Sequence, residues 1–362
     1  MSLSDVRKKI DALDDELLRL LNERASLVAA VAEAKKHEDR PFYAPIRERQ
    51  IIQRLTEANP GPFPTSAVGH VFQEILSACL SMQAKLRVAY LGPEGTNTHA
   101  AVLKQFGLSA RPVPFGTIKR VFEAVERRDA DYGVVPIESS SEGVVSHTLD
   151  AFANTDLSIG AEIALPISHC LMASPGVSGA EIARIYSHPQ ALGQCRQWLS
   201  DNFPEAALVD APSTAAAARS ARSDAAGAAI ANPMAAKIHG LEILHRELQD
   251  AAGTVTRFLL IGRDSPQPTG KDRTTLMLAL ESRPGSLLET LAPLAEHRLD
   301  MTRIESRPSR EEAWTYWFFV EIDGHANDPE VATALDEVAG AARAFRVLGS
   351  YPRATDASGV RE

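Results

Sequence analysis

The stretch Gly253-Thr254-Val255-Thr256-Arg257-Phe258-Leu259-Leu260-Ile261-Gly262 decides how the chain is read. Phe258 to Ile261 form a short apolar run closed by Gly262, which predicts a buried strand. A hydroxyl and a guanidinium, Thr256 and Arg257, stand at its mouth. There Arg257 can hold a small carboxylate while Thr256 offers a proton or a hydrogen bond. An ordinary strand edge is the plainer reading of the same triplet, and the sequence around it has to separate the two.

From Arg87 onward short apolar runs alternate with helical periodicity. Strands are expected at Val88-Leu91, Tyr132-Ile137, Ser158-Ile163, Ile182-Tyr186, Ala207-Asp210, Ala228-Ala231 and Arg257-Ile261, an α/β pattern with a mostly parallel sheet. Ligands of such domains sit beyond the carboxyl ends of the strands, where loops and helix N-termini collect. Three loops fall there. Gly92-Pro93-Glu94-Gly95-Thr96-Asn97-Thr98-His99 offers hydroxyls and backbone N–H groups, a cradle for an anion, with Thr96 and Thr98 as candidate substrate contacts. Val135-Pro136-Ile137-Glu138-Ser139-Ser140-Ser141-Glu142-Gly143 places one carboxylate and three hydroxyls at a strand end, although turn chemistry before Gly143 also explains its serines. Ser187-His188-Pro189-Gln190-Ala191-Leu192-Gly193-Gln194-Cys195 again joins a strand to a helix. His188 there is a candidate acid or base or a helix-start residue, and Cys195 reads as a small buried hydrophobe. Ser213-Thr214 reads as a plain N-cap. No Gly-x-Gly occurs in the chain, which disfavours a nicotinamide dinucleotide site.

Residues 1–86 are helical in pattern. Ser4 and Asp5 cap a helix expected to run to about Lys36, a rod of roughly 48 Å at 1.5 Å per residue. That is long for one protomer to cover and points to a second copy along it. Its stripe reads Arg7, Ile10, Asp14, Leu17, Leu21, Arg24, Val28, Val31 and Lys35, so cations lie on the face that should be apolar. Buried charges need a partner, and an anion fits. A second helix follows Pro41 and Pro45, with Arg47 and Glu48 in its first turn. A third, expected from Thr65 to Leu86, carries Gln83 on its Val68-Phe72-Ile75-Cys79 stripe. Solvated cations and a tolerated Gln on a dimeric bundle are the alternative.

After the linker Ser265–Lys271 the order is βαββαβ, a ferredoxin-like unit over 272–351. Its strands are expected at Thr274-Leu280, Met301-Arg307, Trp314-Ile322 and Phe345-Leu348, its helices at Ser286-His297 and Pro329-Ala342. Gly285-Ser286-Leu287 opens the first helix, and Glu305-Ser306-Arg307-Pro308 ends a strand. Trp314, Tyr316 and Trp317 read as packing first. Residues 352–362 read as a tail.

The 362 residues are 44% hydrophobic and 23% charged with a net charge of -9, an ordinary globular composition that argues against general nucleic-acid or anionic-membrane binding. Cys79, Cys170 and Cys195 are far apart, so neither a disulfide framework nor a zinc site is expected, and the cytoplasm is the expected compartment. Met1 to Asp15 is unlike a secretory signal, and no run reaches membrane-spanning length.

Taken together, Gly-Pro-x-Gly, Val-Pro-Ile-Glu, Ser-His-Pro-Gln and Thr-Arg-Phe, in that order, resemble prephenate dehydratase over residues 87–264. The helical module resembles the all-helical chorismate mutases, and residues 272–351 resemble the ACT domain. The whole chain thus looks like a bifunctional chorismate mutase/prephenate dehydratase. The resemblance implies a two-lobed, periplasmic-binding-protein-like dehydratase domain with the site in its cleft, and no cofactor or metal. It implies that Arg7 and Arg24 bind the chorismate carboxylates, Arg7 reaching across from a second subunit. Lys35 and Gln83 would bond the ether oxygen, and Glu48, beside Arg47, the ring hydroxyl. In the cleft Thr256 would protonate the departing hydroxyl, with Arg257, Glu138, Ser140, Ser141 and Gln194 as further catalytic residues. Thr96, Thr98, Ser187 and His188 would bind substrate. Phenylalanine would bind at Gly285, Ser286, Leu287 and Glu305, Ser306, Arg307, Pro308 at an interface of a homodimer or larger homo-oligomer. Departures from these families stand at Ala44, Cys79, Ser139, Thr96-Asn97-Thr98 and Ser286. A non-catalytic amino-acid sensor is the rival reading, although the cations of the first helix have no place in it. A mutase fused to a prephenate dehydrogenase would require the missing dinucleotide loop.

Overall fold

The computed structural model describes residues 2–37, 43–141, 143–251, 253–309 and 315–354. Glu142, Trp314 and the tail from 355 onward lie outside them. The described residues form two compact units, 1–86 with 106–111, and 87–105 with 112–362.

The first unit is helical: α1 (Leu3–His37), α2 (Pro45–Glu57) and α3 (Thr65–Gln83). Pro45 opens α2 at a position where its missing N–H costs nothing. The helix α3 ends at Gln83, three residues before the expected Leu86. Only the end of α1 finds cover. Leu3, Leu17, Leu18 and Leu27 are 69%, 58%, 60% and 64% exposed, whereas Ala32 is buried.

The second unit begins with β1 (Arg87–Leu91), α4 (Asn97–Phe106), β2 (Arg111–Phe115), α5 (Ile118–Glu126), β3 (Tyr132–Ser139), β4 (Gly143–Val144), α6 (Ser146–Phe152) and β5 (Ser158–Pro166). Next come β6 (Cys170–Ala173), β7 (Arg184–Ser187), α7 (Pro189–Gln194), α8 (Arg196–Asn202), β8 (Ala207–Asp210), α9 (Thr214–Arg222), β9 (Gly227–Ala231), α10 (Pro233–His239), β10 (Glu242–His245) and β11 (Val255–Gly262). They build two sheets, ordered β2-β1-β3-β11-β5, with β4 beside β3, and β10-β6-β9-β7-β8. The sheets are mixed, which corrects the expected mostly parallel one. The chain leaves the first sheet after β5, builds the second, and returns as β11, which inserts antiparallel between β3 and β5. In the second sheet β6 and β10 are antiparallel to their neighbours. The strands β2, β4, β6 and β10 are absent from the sequence reading, being only two to five residues long.

The chain closes with β12 (Asp272–Ala279), α11 (Ser286–Glu296), β13 (Met301–Pro308), β14 (Tyr316–Asp323), α12 (Pro329–Ala341) and β15 (Ala344–Pro352), the expected element order. Their antiparallel sheet runs β13-β14-β12-β15. The two helices cover one face through Leu276, Leu278, Val320 and Ile322. Met277, Phe319, Leu348 and Tyr351 on the other face share a core with Leu259, Ile261, Val135 and Ile137 of the first sheet. At Gly349 the approach is so close that a Cβ would stand 2.5 Å from the Ile159 carbonyl oxygen.

Candidate active sites

In the helical unit the site begins with Arg24 on α1, whose Nη1 donates to Cys79 Sγ on α3 at 2.9 Å. Lys35 on α1 and Glu48 on α2 interact electrostatically, and Arg24 adds to the attraction on Glu48. Burial nevertheless dominates and raises the Glu48 carboxyl to about 7. Burial likewise lowers Lys35, against the pull of Glu48. At the end of α3, Gln83 Oε1 is buried without a hydrogen-bond partner, an acceptor awaiting a donor. Arg47 is exposed. Arg7 is not brought to this group. Seventeen residues of continuous helix separate it from Arg24, about 26 Å at 1.5 Å per residue.

In the second unit a cleft of about 400 Å³ opens between the two mixed sheets. The β1–α4 loop supplies Thr96 and the first turn of α4 Asn97 and Thr98, β3 supplies Pro136 and Ser139, and β11 supplies Thr256 and Phe258. From the other side come His169, His188, Gln190, Gln194, Ser213 and Thr214. Hydroxyls, amides and imidazoles are its polar lining; among the described lining residues there is no Asp, Glu, Lys or Arg. A larger groove of about 620 Å³ borders α5 and α6, but it gathers none of the candidate residues.

Two sets of hydrogen bonds span the cleft. Gln194 Nε2 donates to Ser141 Oγ at 2.9 Å. Asn232 Nδ2 donates to Gly95 O at 2.9 Å and to Asn97 Oδ1 at 2.8 Å. Thr96 Oγ1 caps its own loop, accepting from the His99 N–H at 3.3 Å and donating to Pro93 O at 3.0 Å.

Thr256 faces the cleft but Arg257 does not. Successive residues of a strand point to opposite faces, so the two neighbours part company. Behind the sheet Arg257 pairs with Glu138 at 2.7 Å, Glu162 at 3.2 Å and Glu321 at 3.0 Å. Arg273 pairs with Glu162 at 2.6 Å, and Arg303 with Glu321 at 3.2 Å. Burial works against the Arg257 charge, and Glu162 and Glu321 outweigh it, holding the guanidinium above its ordinary value. Glu138 is turned to this side by a bulge: Phe258 pairs with Pro136 and Arg257 with Glu138, which leaves Ile137 as the extra residue. Arg257 and Glu138 therefore join the first sheet to β12, β13 and β14 instead of lining the cleft, as had been expected of them.

Three other candidates are not among the lining residues. Ser187 is fully buried and donates to Ile230 O at 2.7 Å, tying β7 to β9. Ser140 splices the β3 end to β11, donating its N–H to Val255 O at 2.9 Å and accepting the Val255 N–H at Oγ at 3.0 Å. Ser141 reaches Gln194 but is not a lining residue. Burial pushes the Cys195 thiol up to about 12, which leaves it inert. His169, Gln190 and Thr254 line the cleft without having been singled out in the sequence, where Asn97 and Ser139 stand only as departures. Their signal was position alone, at the ends of strands or the starts of helices.

In the last sheet Gly285 adopts φ 84° at the start of α11, a conformation natural to glycine. Ser286 and Leu287 follow it. Glu305, Ser306, Arg307 and Pro308 lie on the edge strand β13. Arg307 reaches Asp150 on α6 at 3.2 Å. Among the described residues no hydrogen bond joins 285–287 to 305–308.

Sequence profiles match the chain in three parts: chorismate mutase type II over residues 6–84, prephenate dehydratase over 88–266 and the ACT domain over 274–340. The chain is 44% identical over 357 residues to the bifunctional chorismate mutase/prephenate dehydratase of Aquifex aeolicus, covering 97% of this chain and 98% of the relative. It is 42% identical over 357 residues to that of Stutzerimonas stutzeri, with the same coverage. The crystal structure of the Arthrobacter aurescens prephenate dehydratase in complex with L-Phe matches with a TM-score of 0.70 at 40% identity, covering 76% of this chain and 92% of that one.

Proposed function

The chain belongs to the family of bifunctional chorismate mutase/prephenate dehydratases, and from that premise we propose how its two sites divide the chemistry. The helical unit rearranges chorismate to prephenate, and the cleft converts prephenate to phenylpyruvate.

In the helical unit the reaction is pericyclic and needs no nucleophile. Arg24 binds a carboxylate, Lys35 and Gln83 face the ether oxygen, Glu48 meets the ring hydroxyl, and Arg47 lies at the rim. Donors aimed at the breaking C–O bond stabilise the negative charge that grows there. Arg7 completes this site from a second copy. The length of uninterrupted helix between Arg7 and Arg24, together with the exposed leucines along it, supports a homodimer through α1. Mixing Arg7→Ala and Arg24→Ala protomers should restore mutase activity that neither variant shows alone. No recovery would rule the shared site out.

The observation that carries the dehydratase reading is a cleft with Thr256 on β11 at its wall and, among its described lining residues, no Asp, Glu, Lys or Arg. Prephenate carries two carboxylates, and here neutral donors hold them, with the N-termini of α4 at Asn97 and α9 at Thr214 facing the same space. As the ring carboxylate leaves as carbon dioxide, its bonding pair enters the ring and expels the hydroxyl. The Thr256 hydroxyl gives its proton to that oxygen, water departs, and a proton from solvent restores the hydroxyl. Aromatisation drives the step, so the protein needs to orient the ligand and assist one leaving group. Thr98 and His188 contact the bound substrate.

Phenylalanine inhibits through the C-terminal domain, binding near 285–287 and 305–308 where a second copy covers the edge strand β13. The bound L-Phe of the Arthrobacter relative supports this. The cluster around Arg257 supplies a route, since Glu321 and Arg303 belong to that domain and Thr256 is the next residue of the strand. The test is to supply prephenate to the purified protein and follow phenylpyruvate with and without phenylalanine. Suppressible formation is expected; absence of formation from folded protein would refute the assignment.

A further inference from the structure

His169 precedes β6 and is only 4% exposed. Its backbone is held on both sides: its N–H donates to Gln249 Oε1 at 3.1 Å, and its carbonyl accepts the Leu248 N–H at 3.0 Å. Its ring Nε2 stands 2.6 Å from Gln194 Oε1. The other ring nitrogen, Nδ1, is buried with no hydrogen-bond partner among the described residues. A side chain so enclosed and tied through one nitrogen serves the group it touches.

Two proton arrangements satisfy these distances. In the first, His169 Nε2–H donates to Gln194 Oε1, and the Gln194 amide donates onward to Ser141 Oγ at 2.9 Å. In the second, the Gln194 amide is reversed, Ser141 donates to it, and the ring carries its hydrogen on Nδ1. That would bury an N–H with nothing to accept it, a far rarer condition than an idle lone pair. The first arrangement is therefore the stable one. Burial, opposed by the Gln194 contact, also holds the imidazole below its ordinary range, in keeping with a neutral ring.

The direction carries on. Ser141, already an acceptor from Gln194, has one hydrogen to place, and the acceptor it meets among the described residues is Ser139 Oγ at 3.0 Å. Ser139 then accepts twice, from this hydroxyl and from the Ser141 N–H at 3.4 Å. Its remaining hydrogen is free for the cleft, where Ser139 sits directly across the strand pair from Thr256. Reversed, the same chain would present a lone pair there, and a ligand with two carboxylates and a departing hydroxide calls for donors.

We propose that His169 is a positioning residue for dehydration: as the Nε2–H tautomer it sets the direction of the relay His169–Gln194–Ser141–Ser139, so that the Ser139 hydroxyl donates into the cleft beside Thr256. The proposal rests on the cleft being the dehydratase site. It is tested on the full chain in two ways. Nitrogen NMR of histidine-labelled protein, assigned against His169→Gln, should show protonated Nε2 and bare Nδ1 at this residue. In steady-state kinetics His169→Phe, which keeps a ring but no donor, should lower the turnover of prephenate roughly 10²-fold with a smaller change in KM. His169→Gln, which restores an N–H at the position of Nε2, should recover most of that loss, and mutase activity should hold in both variants. A hydrogen on Nδ1 in the wild-type protein, or equal turnover in the Phe and Gln variants, would overturn the relay, and the first of these needs no disruptive variant. The Nε2–H tautomer in a wild-type protein that does not turn over prephenate would overturn the dehydratase assignment instead, leaving the direction of the bonds intact.

Discussion

The two faces of β11 carry opposite kinds of side chain. On one, Thr256 and Phe258 meet a cleft of about 400 Å³ whose described lining residues include hydroxyls, amides and imidazoles but no Asp, Glu, Lys or Arg. On the other, Arg257 lies in a cluster of three guanidiniums and three carboxylates beside a void of only about 10 Å³. The charges of the Thr-Arg-Phe motif thus bind the dehydratase sheet to the C-terminal domain. In the proposed mechanism the chemistry falls to neutral donors, which orient and assist a leaving group without trapping an anionic product by a permanent cation.

Removing the cleft-facing hydroxyl should have the largest effect. Thr256→Ala is expected to lower prephenate turnover by about 10²–10⁴-fold, the usual range for a lost proton donor, with mutase rate and melting temperature kept. On the other face Arg257→Met should do the reverse. It takes one of three cations out of a buried cluster and leaves three carboxylates to Arg273 and Arg303, a loss on the order of 3 kcal/mol in denaturant unfolding, and it uncouples turnover from phenylalanine. Gly349→Val sharpens the comparison, because it wedges β15 from β5 at the Ile159 backbone without touching a charge. A loss of about 1–3 kcal/mol with the turnover of the folded enzyme retained is expected.

The smallest effect belongs to a carboxylate that lacks such pairing. Glu48 feels Lys35 and Arg24 only at a distance, and burial raises it to about 7. Between its unfolded value, near 4.5, and 7 the folded chain keeps a proton that the unfolded chain has lost. Its contribution is thus complete below pH 4.5 and fades as the pH rises through 7. Glu48→Gln should flatten that decline by on the order of 1 kcal/mol, since part of Glu48 still meets solvent. Unfolding curves at pH 5 and pH 8 for both proteins check the sign.

Much of this was legible in the residues. The helical module, the strand at Phe258–Ile261, the element order after 272 and the cleft loops all carry strong periodicity or turn chemistry. The parting of Thr256 from Arg257 was implicit in the two-residue period of a strand, but the motif reads as a unit and hides it. Glu138 was harder, because a bulge at Ile137 reverses the alternation, and only pairing with β11 reveals it. The antiparallel return of β11 depends on a partner more than 100 residues away, which local pattern does not encode. His169 stayed invisible because a lone histidine before an apolar strand gains meaning only from Gln194 across the fold.

One measurement tests the division of β11 most directly: prephenate turnover and melting temperature of Thr256→Ala and Arg257→Met, side by side at a temperature where both are folded. Thr256→Ala is expected to lose turnover at an unchanged melting temperature. Arg257→Met should melt lower yet turn over prephenate within about tenfold of the parent, a difference of some 1.4 kcal/mol in barrier. If Arg257→Met instead loses turnover as deeply as Thr256→Ala without melting earlier, Arg257 acts on the substrate, and the two faces are not divided as described.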